Sequence, residues 1–362
     1  MATFGTNVGE KFAKNALTAF FERSIAYDIT NQDYEGEIKG GGADRLNILS
    51  FGSLALKNYT GAAMTVDIPT ESEGTLVVNQ KKAYYFQIED FAKFASYVSN
   101  PESTLIQNAG KVLAETVDAY VLGFHGDVGA GNRVGTDYTT GTVAVAAVTG
   151  VVTGTGTAFT AAMVGLGFKA AGHTTWYRVK TFTSATSIVI EDDKDDEPSA
   201  YTGGTISAGS SYTIEAATPL TVSASTIYAN VISLKTKLDQ AKVPMSDRAL
   251  VVPAVIGNLL LQSSALTPAV ATAYENVVLK GVIGTVAGFK VYQNEQVQGD
   301  NTNGYYVLAM HKSWLTFAMA MTESGVEDFI GGFGQNFKGL WCYGAKVVDI
   351  RRRNAAYGFW KV

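Results

Sequence analysis

The sequence predicts an α+β chain with a small all-β domain set into it, and three observations carry that reading. Two stretches, residues 9–23 and the run from Pro101 onward, repeat apolar residues at helical spacing. Between residues 136 and 216 the pattern changes to short runs of Thr, Val and Gly divided by turn residues. After Pro219 helical and strand patterns alternate again to the end of the chain.

The elements follow in order. Residues 9–23 read as a helix with Phe12, Ala16, Ala19 and Phe20 on one side. Gly40-Gly41-Gly42 imposes no local structure and reads as a hinge, so 1–45 is expected to be an N-terminal arm. Residues 46–90 read as a long two-stranded excursion. Leu46, Ile48 and Phe51 start it, Pro69 and Gly74 break it, and Leu76-Val77-Val78 and Ala83 to Ile88 return. So little apolar surface does not stand alone, so the excursion is expected to lie on something else. Within 91–135, Asn100-Pro101-Glu102 is a strong helix start, with a capping residue, Pro at the first position and an early acid. The stripe Leu105, Ala109, Val112, Thr116, Tyr120 and Phe124 follows it, and Gly129-Ala130-Gly131 reads as a flexible exit.

Residues 136–216 are expected to be a separate β-domain with strands at Thr142–Thr153, Trp176–Phe182, Thr186–Glu191 and Ser210–Ile214. In 217–304, Ser225 is expected to cap a helix with Ile227, Val231, Leu234, Leu238 and Ala241 on one face, stopped at Pro244. A strand at Arg248–Val252, a helix at Val255–Gln262 and strands at Gly281–Val286 and Gly288–Tyr292 follow. In 305–362, strands are expected at Tyr305–Ala309, Leu315–Met319 and Ala345–Arg352.

Composition narrows the function. The 362 residues are 46% hydrophobic, enough for two or three compact units. Only 17% are charged, against the usual quarter, which suits a chain that buries surface on its neighbours. The net charge of −5 argues against wrapping nucleic acid tightly, which needs a basic excess. The one basic cluster, Arg351-Arg352-Arg353, is expected on a solvated or inter-subunit strand face. The single cysteine, Cys342, excludes an internal disulfide and a multi-cysteine zinc site; between Trp341 and Tyr343 it reads as a buried thiol of a reducing compartment. Met1 to Lys14 has no apolar run, so no secretory leader is expected. No charge occurs between Asp137 and Lys169, a length that could cross a bilayer. Its Thr, Val and Gly content is strand and turn chemistry instead, and no membrane contact is expected.

The order of these elements resembles the major capsid proteins of tailed bacteriophages, the HK97-like capsid fold, and particularly the branch similar to the coat protein of P22-type phages. The resemblance rests on Ala43 to Ile48 with Asn79 to Asp90, on the helix from Pro101, on Leu250-Val251-Val252-Pro253 with Gly281 to Tyr292, and on His311 to Trp314 with Tyr343 to Val347. It implies an extended loop at 46–90 and a peripheral domain at 91–135 with a spine helix. It also implies an axial domain at 217–304 and a returning peripheral sheet at 305–362. The β-domain at 136–216 is the departure from that plan and resembles small β-modules of other phage structural proteins. What the resemblance implies is a structural subunit that assembles as hexamers and pentamers into an icosahedral shell around double-stranded DNA, in virions built in the host cytoplasm. The implied partners are further copies of the chain, scaffolding and portal proteins, a decoration protein, and packaged DNA held without sequence-specific binding. Phe12 and Phe20 on the arm and Tyr84 and Phe86 on the loop are the expected inter-subunit contacts. An encapsulin-like nanocompartment shell and a phage fibre or surface carbohydrate-binding protein are the alternatives.

No catalytic residue, cofactor or metal site is expected, and the chain is not read as an enzyme. No phosphate loop occurs; Gly284 to Lys290 has the wrong spacing, and Gly129-Ala130-Gly131 follows a helix and lacks a third glycine. His125, His173 and His311 fall in three different units, with no nucleophile elbow beside them. The run Glu191 to Glu197 lacks calcium-loop spacing and reads as a solvated turn. Some members of the family join subunits by a Lys–Asn bond; Lys57, Lys81, Lys82, Asn336 and Asn354 match by residue type only, and a non-covalent shell is expected.

Overall fold

An apolar stripe on a helix has to be covered, and in this chain the covering surface belongs to the same subunit. The computed structural model describes residues 4–33, 45–51, 71–89, 101–193, 199–263, 282–328, 332–347 and 349–362, with positions 58 and 66. The first helix is α1, Phe4–Arg23, followed by the short α2, Ala26–Ile29. The expected hinge at Gly40 to Gly42 lies outside the described residues. Strands β1, Arg45–Phe51, and β2, Glu71–Val77, pair antiparallel with Ile48 opposite Gly74. Ile48, Leu76 and Val78 close a small core with Ala318 and Cys342, so the hairpin base does lie on a second surface. The chain then leaves the hairpin: β3, Gln80–Glu89, belongs to another sheet. The long helix α3, Pro101–Leu122, begins at the proline its sequence marks. It meets α1 at close range: a Cβ on Gly110 would stand 2.4 Å from the Ala16 carbonyl oxygen, so only glycine permits this crossing.

The middle of the chain builds its own sheet. After the short β4, Arg133–Val134, come β5, Thr136–Tyr138; β6, Thr142–Val145; β7, Val151–Thr155; β8, Gly167–Ala170; β9, Tyr177–Ser184; β10, Ser187–Asp192; β11, Ile206–Ser210; and β12, Tyr212–Thr218. The eight from β5 to β12 form one sheet in the order β11-β6-β7-β10-β9-β8-β12-β5. Burial alternates along β6, with Val143 and Val145 inward, as the period of a strand requires. Those valines join Val152, Phe168, Ile188, Ile190 and Tyr212 in a core separate from the others. The uncharged stretch flagged as bilayer-length lies in these strands, and no helix among the described residues is long and apolar enough to cross a membrane.

The rest of the chain supplies two further sheets. Its elements are β13, Leu220–Thr221; α4, Ile227–Gln240; β14, Arg248–Val252; α5, Ala254–Gln262; β15, Val282–Val286; β16, Phe289–Gln293; β17, Gly299–Asp300; β18, Gly304–His311; β19, Leu315–Asp328; β20, Gly334–Val347; and β21, Ala355–Lys361. One sheet runs β13-β21-β18-β14-β16-β15, with β14 and β16 parallel. Helix α4 covers it through Ile227, Val231, Leu234 and Leu238, each fully buried. Each such side chain contributes roughly 1.5–3 kcal/mol of hydrophobic stabilisation. The other sheet is β19-β20-β3, and α1 and α3 lie in the core it helps to close.

Two expectations need correction here. Ser225 is not the cap of α4; the Ser223 carbonyl accepts the N–H groups of Thr226 and Ile227, and the Thr226 hydroxyl oxygen accepts the Ser223 N–H. The strand expected at Ala345–Arg352 ends at Val347. A 3₁₀ turn, Asp349–Asn354, follows, and the true last strand is β21. Strand β21 is central and covered on both faces, so it carries no apolar–polar alternation to be read.

Candidate assembly surfaces and the insert junction

The residues expected at subunit contacts divide by strand and helix face. Phe20 is 0% exposed. Its ring meets Phe21 and Tyr27 edge-on at 5.4 and 5.9 Å, and Tyr27 in turn meets Phe317 at 5.6 Å. The expectation that Phe20 clamps a neighbour is therefore corrected: its stripe is spent on its own subunit, because α3 and the three-stranded sheet already cover it. The side chain of Phe12 lies outside the described residues. Tyr84 and Phe86 are half-buried on one face of β3, where Tyr84 tilts against Trp341 at 5.0 Å and Phe86 stacks on Phe337 at 5.2 Å. Tyr85, between them, points the other way and is 66% exposed.

Helix α3 is turned by about one residue from the expected stripe. Ile106, Leu113, Val117 and Val121 are buried, while Leu105 and Val112 are 43% and 56% exposed. Seven residues apart, those two share one face, so α3 offers an apolar outer edge. Phe21, 42% exposed, adds a further apolar side chain on α1.

The acidic run, expected to be solvated, and the basic run, expected on a solvated or inter-subunit strand face, meet through Asp193 and Arg352. Arg352 is 5% exposed, and its Nη1 donates to Asp193 Oδ1 at 2.5 Å. The other Asp193 oxygen accepts the Ala130 N–H. Asp192, also buried, accepts from the Thr202 N–H at 3.0 Å and the Thr202 hydroxyl at 2.5 Å. A second contact lies alongside: Arg133 Nη1 and Glu215 Oε1 are 3.7 Å apart, with side chains 1% and 2% exposed. Glu215 Oε1 also accepts the Gly131 N–H at 2.8 Å, and Arg133 Nη2 donates to the Val128 carbonyl at 2.9 Å. Burial pushes the Glu215 carboxyl up from its ordinary range, and Arg133 opposes that. Gly129-Ala130-Gly131 is thus not a loose exit, since the Gly129 N–H also donates to the Arg352 carbonyl. A Cβ on Gly131 would fall 2.6 Å from the Trp176 ring, and φ is +93° there.

A third buried group ties α1, α3 and the central sheet. Asp118 is 3% exposed. It accepts from the Ser24 hydroxyl at 2.7 Å, the Ala26 and Ile25 N–H groups at 3.2 and 3.3 Å, and Asn294 Nδ2 at 2.7 Å. Burial raises its carboxyl from 3.8 to about 6, although all four hydrogen bonds pull the other way. Between pH 4 and 6 the folded chain then holds a proton that the unfolded chain lacks, so stability falls as pH rises through that window. A shift of this size corresponds to about 3 kcal/mol. The stability advantage of the parent over an Asp118→Asn chain should therefore shrink by roughly that amount from pH 4 to pH 7. Urea unfolding of both chains across that range checks it, and a constant difference would rule it out.

The remaining chemistry-bearing residues are apart. His125 stacks on Tyr306 at 4.1 Å; His173 shares a hydrogen bond with the Tyr201 hydroxyl at 2.8 Å; His311 Nδ1 pairs with the Ser313 hydroxyl at 2.7 Å. Burial pushes all three imidazoles down. Cys342 is buried and outside any disulfide, in the core under the hairpin. Lys81 and Lys82 are exposed on β3, and Asn354 donates to the Ser313 hydroxyl at 2.9 Å. No group of three or more His, Cys, Asp or Glu placed to hold a metal ion occurs among the described residues.

Solved structures share this arrangement over most of its length. One from Mycobacterium phage Che8 is 16% identical, with 91% of this chain and 89% of that one covered and a TM-score of 0.53. The capsid asymmetric unit of cyanophage Pam1 is 13% identical, with 92% and 88% covered and a TM-score of 0.54. The capsid of Ralstonia phage GP4 is 11% identical, with 95% and 91% covered and a TM-score of 0.52. No protein-family model and no curated protein matches the sequence. The chain has the HK97-like capsid fold.

Proposed function

We propose that this chain is the major capsid protein of a tailed bacteriophage, a structural subunit that closes as hexamers and pentamers into an icosahedral shell around double-stranded DNA. The observation that carries the reading is the shared fold with two phage capsids over about nine-tenths of every chain compared. The apolar side chains left outside the subunit support it: Leu105 and Val112 on the spine, Tyr85 on β3 and Phe333 at 87% exposure beside β20. A shell repeats such contacts in every copy, so modest terms per subunit decide closure.

On this reading the β1–β2 hairpin is the extended loop. Helix α3 with the β19-β20-β3 sheet is the peripheral domain, and the sheet under α4 is the axial domain. The sheet spanning 136–216 is an insertion that projects outward. The work is mechanical, and no residue is assigned a catalytic role. Scaffolding, portal and decoration proteins are the expected partners, the virion is the location, and assembly takes place in the host cytoplasm. The net charge of −5 fits a wall that encloses DNA without gripping it. Electron microscopy of the purified protein should show closed particles, or rings of five and six copies. A soluble monomer that persists at high concentration under assembly conditions would overturn the proposal. Particles filled with protein and lacking DNA would favour the nanocompartment instead.

A further inference from the structure

A cavity of about 310 Å³ lies where the base of the hairpin, the end of the spine helix, the returning strand β20 and the insert meet. That volume is at the lower end of the roughly 300–1,000 Å³ of small-ligand sites. Its wall carries three cations from three separate elements: Arg178 on β9 of the insert, Lys346 on β20 and Arg352 on the 3₁₀ turn. Asp127 is the acid in that wall, and Asn79 adds a side-chain amide. Arg352 is the anchored member, held by Asp193 and by the Asp127 carbonyl at 3.3 Å, and its Nη2 is buried without a hydrogen-bond partner. Among the described residues neither Arg178 nor Lys346 is engaged in an ion pair.

We propose that this cavity binds a small tetrahedral oxyanion of the phosphate class. Donors on three separate elements suit an anion with several oxygens in three dimensions, whereas a carboxylate offers two in one plane. Burial and the neighbouring Arg352 push Arg178 down from the ordinary guanidinium value, and Asp193 and Glu191 oppose that only in part, so a further anion in the cavity would act in the same direction as those carboxylates. The bound anion would join the insert to β20 and the 3₁₀ turn. The inference stands on the cavity and does not depend on the assembly reading.

The test is calorimetric titration of inorganic phosphate into the full-length protein at constant ionic strength. Saturable binding is expected, with affinity reduced about tenfold or more in Arg178→Gln, the scale of one charge-assisted hydrogen bond. Lys346→Gln should weaken it in the same direction. Lys180→Gln, on the same strand but paired with Glu191 at the surface, should leave it unchanged. Circular dichroism and melting of each variant separate lost binding from lost folding. Displacement of bound phosphate by a short oligonucleotide would identify the source as a nucleic-acid backbone, and failure to displace it would identify the free ion; both keep the same chemistry. Uptake that does not saturate, an isotherm unchanged in both Arg178→Gln and Lys346→Gln, or acetate binding as tightly as phosphate would overturn the proposal.

Discussion

A Phe20→Ala chain should lose about 3–5 kcal/mol of folding stability, the usual cost of removing a buried aromatic ring and leaving its cavity. Against the ~5–15 kcal/mol that holds a typical domain, this is a large share. Phe20 has no exposed surface, and its ring supports Tyr27, which in turn supports Phe317 in β19. Phe21→Ala is the matched comparison. That ring is 42% exposed and meets Tyr27 at 4.9 Å, so its loss should cost about 1 kcal/mol, the scale of one aromatic pair. Urea unfolding monitored by circular dichroism should order the chains as parent, Phe21→Ala, then Phe20→Ala. A Phe20→Ala chain with the parental midpoint that fails only to assemble would restore the arm as a clamp on a neighbour.

The same helix shows what the sequence makes legible. The start of α3 is written in Asn100-Pro101-Glu102, and the structure begins the helix at Pro101. Its buried face is not written so plainly, because apolar residues come in adjacent pairs: Leu105 with Ile106, Val112 with Leu113, Tyr120 with Val121. Either member of each pair fits a helical repeat, and one residue is a rotation of about 100°. The crossing of α1 at Gly110 and the shared core beyond it lie on the face of the second set. The strand character of the insert was legible in its Thr, Val and Gly content, but the single strand expected at Thr142–Thr153 is two, β6 and β7, paired antiparallel across a turn. The charged runs misled for a different reason. Arg352 and Asp193 are separated by 159 positions, and each run taken alone looks solvated. Ion pairing over such a distance in sequence leaves no local pattern. The half-buried Tyr84 and Phe86 and the exposed Tyr85 likewise form one aromatic run until β20 fixes which face of β3 turns inward.

The pairing of those charged runs changes what removing the insert should do. Composition alone suggests that residues 136–216 can be replaced by a short linker while the rest still folds. The structure shows that the same cut removes Asp193 and Glu215 and leaves Arg352 and Arg133 in place. Both arginines are almost fully buried, with side chains 5% and 1% exposed. A charge that stays buried after losing its partner costs about 3–5 kcal/mol, so two approach the whole stability of a domain, and the cost falls to the extent that the cut opens either arginine to water. The simple deletion is therefore expected to be insoluble or unfolded. Buried ions replaced by apolar side chains of similar volume are often neutral or stabilising. A deletion that also carries Arg133→Leu and Arg352→Met should accordingly recover a cooperative melt and native-like circular dichroism. Arg133 also holds the Val128 carbonyl and lies 5.5 Å from the centre of the Tyr357 ring, so recovery at that position should be partial. If the simple deletion folds as well as the compensated one, the two ion pairs are not what ties the insert to its host. If neither folds, the sheet from β5 to β12 is part of the main core, and the separation of its apolar cluster from the others does not amount to independence.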